Sequence, residues 1–185
     1  IQRTNLAAVI LQMLQLKLGD ISAFPFVDAP DNKFVNDGFA LLAELGAVRD
    51  GKLNKLGQQL GRFPVDPRIG RLLLAAADGG CLREMLIIAS ALSIQDPRDR
   101  PADKQQAADE KHRRFWQPDS DFMAFVGLWD YAEEQRQALS ASQWRKLCQR
   151  EFLSWTRMRE WREVHHQITL MCRQLKLPVN REPAD

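Results

Sequence analysis

The sequence predicts a mostly α-helical protein, on three observations. Apolar residues recur at helical spacing through most of the 185 residues. Helix ends are marked by capping side chains, prolines and glycines, and the period shortens to that of a strand in one place only. A chain that is 45% hydrophobic and 27% charged can bury a real core in one or two domains.

The first helix is predicted from Leu6 to Leu18, rich in Leu, Ala and Gln, with Gly19 as its stop because glycine takes the left-handed backbone without steric penalty. Pro25 and Pro30 make Ile21 to Pro30 a loop, with Phe24 and Phe26 as apolar anchors. Lys33 to Leu45 sets Val35, Phe39 and Leu42 on one stripe and ends at Gly46. Then comes the change of period: Ala47-Val48-Arg49, the turn dipeptide Asp50-Gly51, and Lys52-Leu53-Asn54 spell a small hairpin. Two helices followed by such a hairpin resemble a winged-helix unit, with the hairpin as wing.

Asn54 is placed to cap a short helix running through Leu60. Asp66 followed by Pro67 is a helix start, because proline at the first helical position gives up an N–H that would have no partner anyway. That helix halts at Gly79-Gly80, and another runs from Leu82 to about Ser93. Gln95 to Pro101 is a charged, proline-bounded connector. Beyond it, a polar helix is predicted over Ala102 to Phe115, ended by Pro118 and Asp119. Asp121 to Ala138 follows, with Phe122, Phe125, Val126 and Trp129 on one stripe. Ser140 and Gln143 form a capping box for a helix that runs or kinks through Ser154 into a long terminal one, which Leu177-Pro178 ends.

Several functions lose their footing at this level. No apolar run approaches the roughly 18 residues that cross a bilayer, and no signal peptide is visible. Cys81, Cys148 and Cys172 fit neither a disulfide framework nor a zinc site, and read as reduced thiols of a cytoplasmic protein. The chain carries no phosphate loop, no dinucleotide-binding turn, no zinc-protease helix and no nucleophile elbow, so no metal or acid/base enzyme has a supporting constellation. It begins at Ile1, which predicts a piece cut from something longer.

Net charge is +2 but alternates along the chain, from −2 over 1–50 to +3 over 51–100, −3 over 101–142 and +4 over 143–185. In the basic last block, at 100° per residue, Trp161, Val164, His165, Ile168, Met171, Cys172 and Leu175 share a broad core face. Arg159, Arg162, His166 and Arg173 fall within roughly 60° on the opposite side. Two readings stand for that stripe. It is a solvated face paired with acids from the 102–134 region, or it tracks a nucleic-acid strand with guanidiniums and an imidazole on phosphates and bases. The spacing of Trp129, Trp144, Trp155 and Trp161 favours core over stacking platforms. His165 is expected in the core and His112 in solvent, and Lys52 and Lys55 on the hairpin are within reach of a backbone.

The order of short motifs is more specific. Ile1-Gln2-Arg3-Thr4-Asn5-Leu6 opens the chain, and Leu56-Gly57 precedes Phe63-Pro64-Val65-Asp66-Pro67-Arg68. Leu92-Ser93-Ile94-Gln95 with Arg100-Pro101 follows, then Phe152-Leu153-Ser154-Trp155 with Gln167-Ile168. Together these resemble the helicase-associated region of DEAH-box ATP-dependent RNA helicases, the bacterial HrpA-type subgroup in particular, over essentially the whole chain.

The resemblance implies a degenerate winged helix over 1–75 and a ratchet-like helical bundle over 76–185, with 94–101 as an alternative seam. It implies that ATP and magnesium belong to two motor domains outside this chain, which itself carries no cofactor, metal or catalytic residue. The partners implied are single-stranded RNA, those motor domains and a regulatory protein. The basic stripe Arg159, Arg162, His166 and Arg173 then reads as RNA-binding. Two departures stand out: Ser120-Asp121-Phe122 stands where the family has Gly-Asp-His, so only Asp121 carries over and the histidine's role is lost, and Ser154-Trp155-Thr156 stands where it has Asn-Tyr-Arg, which leaves that arginine without a counterpart here.

Two rivals are set against this reading. A DNA-binding regulator needs a basic recognition helix, and Lys33 to Leu45 offers Lys33 against Asp37 and Glu44. A protein-interaction adaptor would bind no nucleic acid at any salt.

Overall fold

The computed structural model describes residues 6–63, 65–118 and 120–184. Ile1 to Asn5 of the opening string, Pro64 and Asp119 lie outside the described residues. The mostly α architecture with one small hairpin is as the sequence predicts: nine helices and two short antiparallel strands among the described residues. The chain divides into two compact units, Ile1–Ala75 and Ala76–Asp185.

In the first unit, α1 (Leu6–Leu16) packs on α2 (Asn32–Glu44), burying Ile10, Leu11, Val35 and Leu42. Asp31 caps α2 by accepting from the Lys33 amide at 2.9 Å. The two strands, β1 (Val48–Arg49) and β2 (Lys52–Leu53), pair Val48 with Leu53 and Arg49 with Lys52. Asp50 and Gly51 both take positive φ, 51° and 71°, which gives the turn the twist a two-residue hairpin needs.

Asn54 then does two things. Its Oδ1 accepts from the Gly57 amide at 2.9 Å, capping α3 (Lys55–Leu60), and its Nδ2 donates to the Gly46 carbonyl at 2.7 Å. Gly57 of the Leu56-Gly57 motif lets α3 lie on the hairpin, because a β-carbon there would collide with the Ala47 carbonyl oxygen and the Leu53 side chain. Backbone cannot yield as a side-chain tip does. Gly57→Ala should therefore destabilise the chain by about 2–3 kcal/mol, read as a lower urea midpoint. A loss below about 0.5 kcal/mol, the ordinary scatter of surface changes, would show that α3 shifts freely.

α4 (Pro67–Gly79) starts as read, with Asp66 accepting from the Arg68 amide at 2.8 Å. The boundary between the units falls within it. In the second unit α5 (Leu82–Leu92) packs against α7 (Met123–Ala138) and α9 (Trp155–Gln174), while α6 (Gln105–His112) and α8 (Ala141–Arg150) complete the bundle. Trp161 is fully buried among Ile87, Phe125, Leu128 and Met158. Its indole N–H is shared between the Ile87 carbonyl at 3.1 Å and Ser90 Oγ at 3.0 Å, so this large ring leaves no polar atom unsatisfied. The Ser140 and Gln143 capping box opens α8 as read.

Several expectations are corrected. α1 ends at Leu16, because Lys17 (φ 55°), not Gly19, is the first residue to turn left-handed, and the Leu18 amide reaches back to the Met13 carbonyl. Phe24 and Phe26 pack on each other at 4.8 Å and stay half-exposed, and Ile21 is the buried anchor of that loop. The polar helix is Gln105–His112 with a 3-10 turn over Arg113–Phe115. Phe122 precedes α7 and is 52% exposed, and Leu128 and Ala132 fill the core in its place.

The chain breaks between α8 and α9, with Phe152 left-handed at φ 54°. The break is tertiary in origin. Residues 97–99 of the connector pair with 152–154: Asp99 N–H donates to the Phe152 carbonyl, Ser154 N–H donates to the Pro97 carbonyl, each at 2.8 Å, and Arg98 faces Leu153 in an antiparallel bridge. Arg157 adds contacts to the Asp96 carbonyl (3.1 Å) and Asp99 (3.0 Å).

His112, expected in solvent, is half-buried. Its Nε2 lies 3.1 Å from the carbonyls of both Glu151 and Phe152, and because both can only accept, the proton sits on Nε2.

Candidate nucleic-acid interface

Ser154 starts α9 by accepting from the Arg157 amide, and the helix then runs five turns. Trp161, Ile168 and Cys172 are buried on one side, with Val164, His165, Met171 and Leu175 half-buried beside them. Arg159, Arg162, His166 and Arg173 are exposed on the other, as the 100° arithmetic requires.

Three of these four come together. Arg159, Arg162 and His166 line an open groove of about 760 Å³, whose remaining lining is Trp129, Glu133 and Arg136 of α7 with Glu163 and His165 of α9. Arg173 is not in it, since it lies two turns beyond His166, about 10 Å along the axis. Periodicity within α9 could not show Trp129, Glu133 and Arg136, which a second helix supplies. Their own spacing, i, i+4 and i+7 along α7, would have marked a mixed aromatic and charged stripe.

The guanidiniums are held but not locked. Arg162 Nε is 3.4 Å from Glu133, which also meets Arg136 at 3.7 Å, and Arg162 keeps 53% of its side chain exposed. An ion pair that open contributes little to stability, about 0–1 kcal/mol, and a phosphate competes for it on equal terms. The Arg159 guanidinium lies 4.8 Å from the centre of the Trp155 ring, which Arg145 also approaches at 5.2 Å, and makes no ion pair among the described residues. Trp144 and Trp161 are core as read, whereas Trp129 and Trp155 are half-buried and carry their neighbours on their faces.

The uncharged side of the groove is Trp129 with His165, ring centroids 4.2 Å apart, and Trp129 in turn meets Trp161 edge-on at 5.0 Å. Burial, helped by the neighbouring positive charges of His166, Arg83 and Arg162, pulls the His165 imidazole down to about 4, so at neutral pH it is an uncharged ring.

The sign for stability follows from linkage. The unfolded chain takes a proton on this residue near its ordinary value of 6.5 and the folded chain does not until about 4, so the fold loses stability as pH falls through that window. The loss should be on the order of 2 kcal/mol. Denaturation midpoints of the wild type at about pH 7 and pH 5 should differ accordingly, and His165→Gln should narrow the gap. An unchanged gap would assign the acid sensitivity elsewhere. The carboxylates held low, Glu84 and Asp96, act in the same direction at more acid pH: burial raises each, but hydrogen bonds from Asn180 and Arg83 in one case and Arg98 in the other outweigh it.

Among the described residues no group of three or more His, Cys, Asp or Glu is placed to hold a metal ion, and no helix is long and apolar enough to cross a membrane. Burial pushes the Cys148 thiol up to about 12 and Cys172 to about 11, which leaves both as unreactive core atoms.

Comparison with known proteins bears on the chain as a whole. A family model described as Helicase associated domain (HA2), ratchet-like, matches residues 66–125. The ATP-dependent RNA helicase HrpA of Escherichia coli (strain K12) is 55% identical over 191 residues, and the ATP-dependent RNA helicase HrpA homolog of Haemophilus influenzae is 53% identical over 193. Each comparison takes in 100% of this chain and 15% of the relative, so the chain spans about a seventh of their length. The motif order, the hairpin-bearing helical fold and these identities agree: the chain is similar over its whole length to part of the HrpA-type helicases, and over residues 66–125 to the ratchet-like helicase-associated domain.

Proposed function

We propose that this chain is an accessory region of a cytoplasmic ATP-dependent RNA helicase, closing over single-stranded RNA and guiding it while motor domains elsewhere in the protein bind ATP and magnesium and hydrolyse the nucleotide. In this reading residues 1–75 serve as the winged helix and 76–185 as the ratchet-like bundle. The observation that carries it is the α9 groove, where Arg159, Arg162 and His166 stand beside the Trp129 and His165 rings.

A backbone phosphate entering the groove displaces Glu133 from Arg162 and takes Arg159 from its perch on Trp155. Guanidiniums suit this role because they remain charged and present paired donors to phosphate oxygens. Base faces have the adjacent rings to stack on. The motion comes from the motor, and the groove rectifies it by holding the strand between steps.

The test is titration of single-stranded oligouridylate into the chain at low and moderate salt. Binding that weakens steeply with salt is expected, because each phosphate contact releases condensed counterions. The adaptor reading has one observation of its own: Trp116, Phe122 and Met123, 60%, 52% and 38% exposed within eight positions, offer apolar surface to a protein. An adaptor would show no RNA binding at either salt.

A further inference from the structure

The first unit holds a second cationic hollow, built quite differently from the α9 groove. Lys17 at the end of α1, Lys52 on β2 and Arg62 just beyond α3 are far apart in sequence, yet they line one cavity of about 450 Å³ together with the amide side chains of Gln15 and Gln58. No carboxylate is among its lining residues, and Asp50, the nearest acid in the turn, is not one of them. All three cations are exposed, and none makes an ion pair among the described residues.

Like charges gathered without counter-charge repel each other and add nothing to the fold. One of them is also held at a conformational cost. Lys17 occupies the left-handed position that ends α1 (φ 55°), where glycine or asparagine would sit with less strain. A cation does suit the dipole at a helix C-terminus, and Lys176 ends α9 in the same left-handed state (φ 57°), so it is the convergence of Lys17 with Lys52 and Arg62, not the helix end alone, that points to a ligand. What the arrangement suits is an outside anion with several oxygens, taking charge from the three cations and hydrogen bonds from the two amides.

We infer that Lys17, Lys52 and Arg62 form a second phosphate-binding site, which holds the backbone of a single-stranded RNA at a point separate from the α9 groove. This rests on the RNA-guiding reading above and extends it to the hairpin unit. A phosphodiester chain is favoured over an acidic peptide because the lining holds no aromatic ring and its two apolar side chains, Leu14 and Leu53, lie among three cations that make no ion pair among the described residues, so phosphate oxygens find charge at every turn of the hollow.

The experiment compares oligouridylate affinity as a function of salt in the full 185-residue chain and in two sets of variants. The triple variant Lys17→Gly, Lys52→Gln, Arg62→Gln should bind more weakly and flatten the slope of log affinity against log salt by about 2, at roughly 0.7 per lost phosphate contact on a single strand. Its melting temperature should hold or rise, since repulsion and left-handed strain are both removed. Lys17→Gly alone should give part of the binding loss with no loss of stability, a combination a purely structural lysine would not produce.

If the triple variant keeps the wild-type slope while Arg159→Gln with Arg162→Gln lowers it, the second site is overturned and the α9 reading stands. If the wild type binds no RNA, both fall. If the triple variant loses binding to polyglutamate and not to RNA, the hollow belongs to an acidic protein segment and the inference is likewise overturned.

Discussion

Arg159→Gln combined with Arg162→Gln should flatten the salt dependence of RNA binding by about 1.4 in log–log slope, while Arg173→Gln leaves it unchanged. The first figure follows from two lost phosphate contacts at about 0.7 each on a single strand. The second follows from geometry, because Arg173 shares the face of Arg159 and Arg162 but lies beyond the groove lining. Helical phase alone would group all three and lower the slope by roughly 2 to 3 units. The groove separates them. Fluorescence anisotropy with labelled oligouridylate across a salt series decides between these outcomes: an Arg173 effect equal to that of Arg162 would mean that the strand runs along the helix rather than through the groove. The variants should fold normally, since the one ion pair they break, Arg162 with Glu133, is half-exposed.

The largest stability effect is expected at Trp161. Trp161→Ala removes a fully buried indole and leaves a cavity at the junction of α5, α7 and α9, which should cost about 3–5 kcal/mol. That is a large share of the 5–15 kcal/mol typical of a folded domain. Trp161→Phe should cost distinctly less, because a ring still fills most of the space and Ser90 Oγ keeps its own donation to the Leu86 or Ile87 carbonyl. Urea unfolding followed by circular dichroism measures both. Near-equal losses would mean that the indole hydrogen bond, rather than the packing, dominates. Because Trp129 and Phe125 pack against Trp161, the alanine variant should also loosen one side of the groove and weaken RNA binding without touching a cation.

What could be read in advance was local. Asp66-Pro67, Ser140 with Gln143, and Asp50-Gly51 form the caps and the turn expected of them because each uses atoms within three residues of itself. What could not be read depended on distant partners. His112 looked solvated because its two carbonyl acceptors are 39 and 40 residues away. The left-handed Phe152 looked like helix because the connector that pairs with it left the sequence some fifty positions earlier. The motif Phe152-Leu153-Ser154-Trp155, noticed first as a family likeness, gains a local explanation: it forms the bridge to 97–99 and then caps α9. The candidate site divides the same way. Helical phase found the α9 cations, and only folding could add α7 to them or separate Arg173 from them. The hairpin shows the reverse case, where Lys52 meant little until Lys17 and Arg62 were brought beside it.

The bridge between 97–99 and 152–154 has a consequence for how the protein comes into being. It closes an excursion of about fifty residues whose ends must meet before α9 is seated, and such closure is entropically slow compared with forming the individual helices. One wall of the groove is laid down before Ala138 and the other after Trp155. A growing chain therefore completes the α9 groove only after Trp155–Gln174 has emerged and brought Arg159, Arg162 and His166 beside Trp129 and Glu133 of α7, so that groove is the late-forming one of the two cationic hollows.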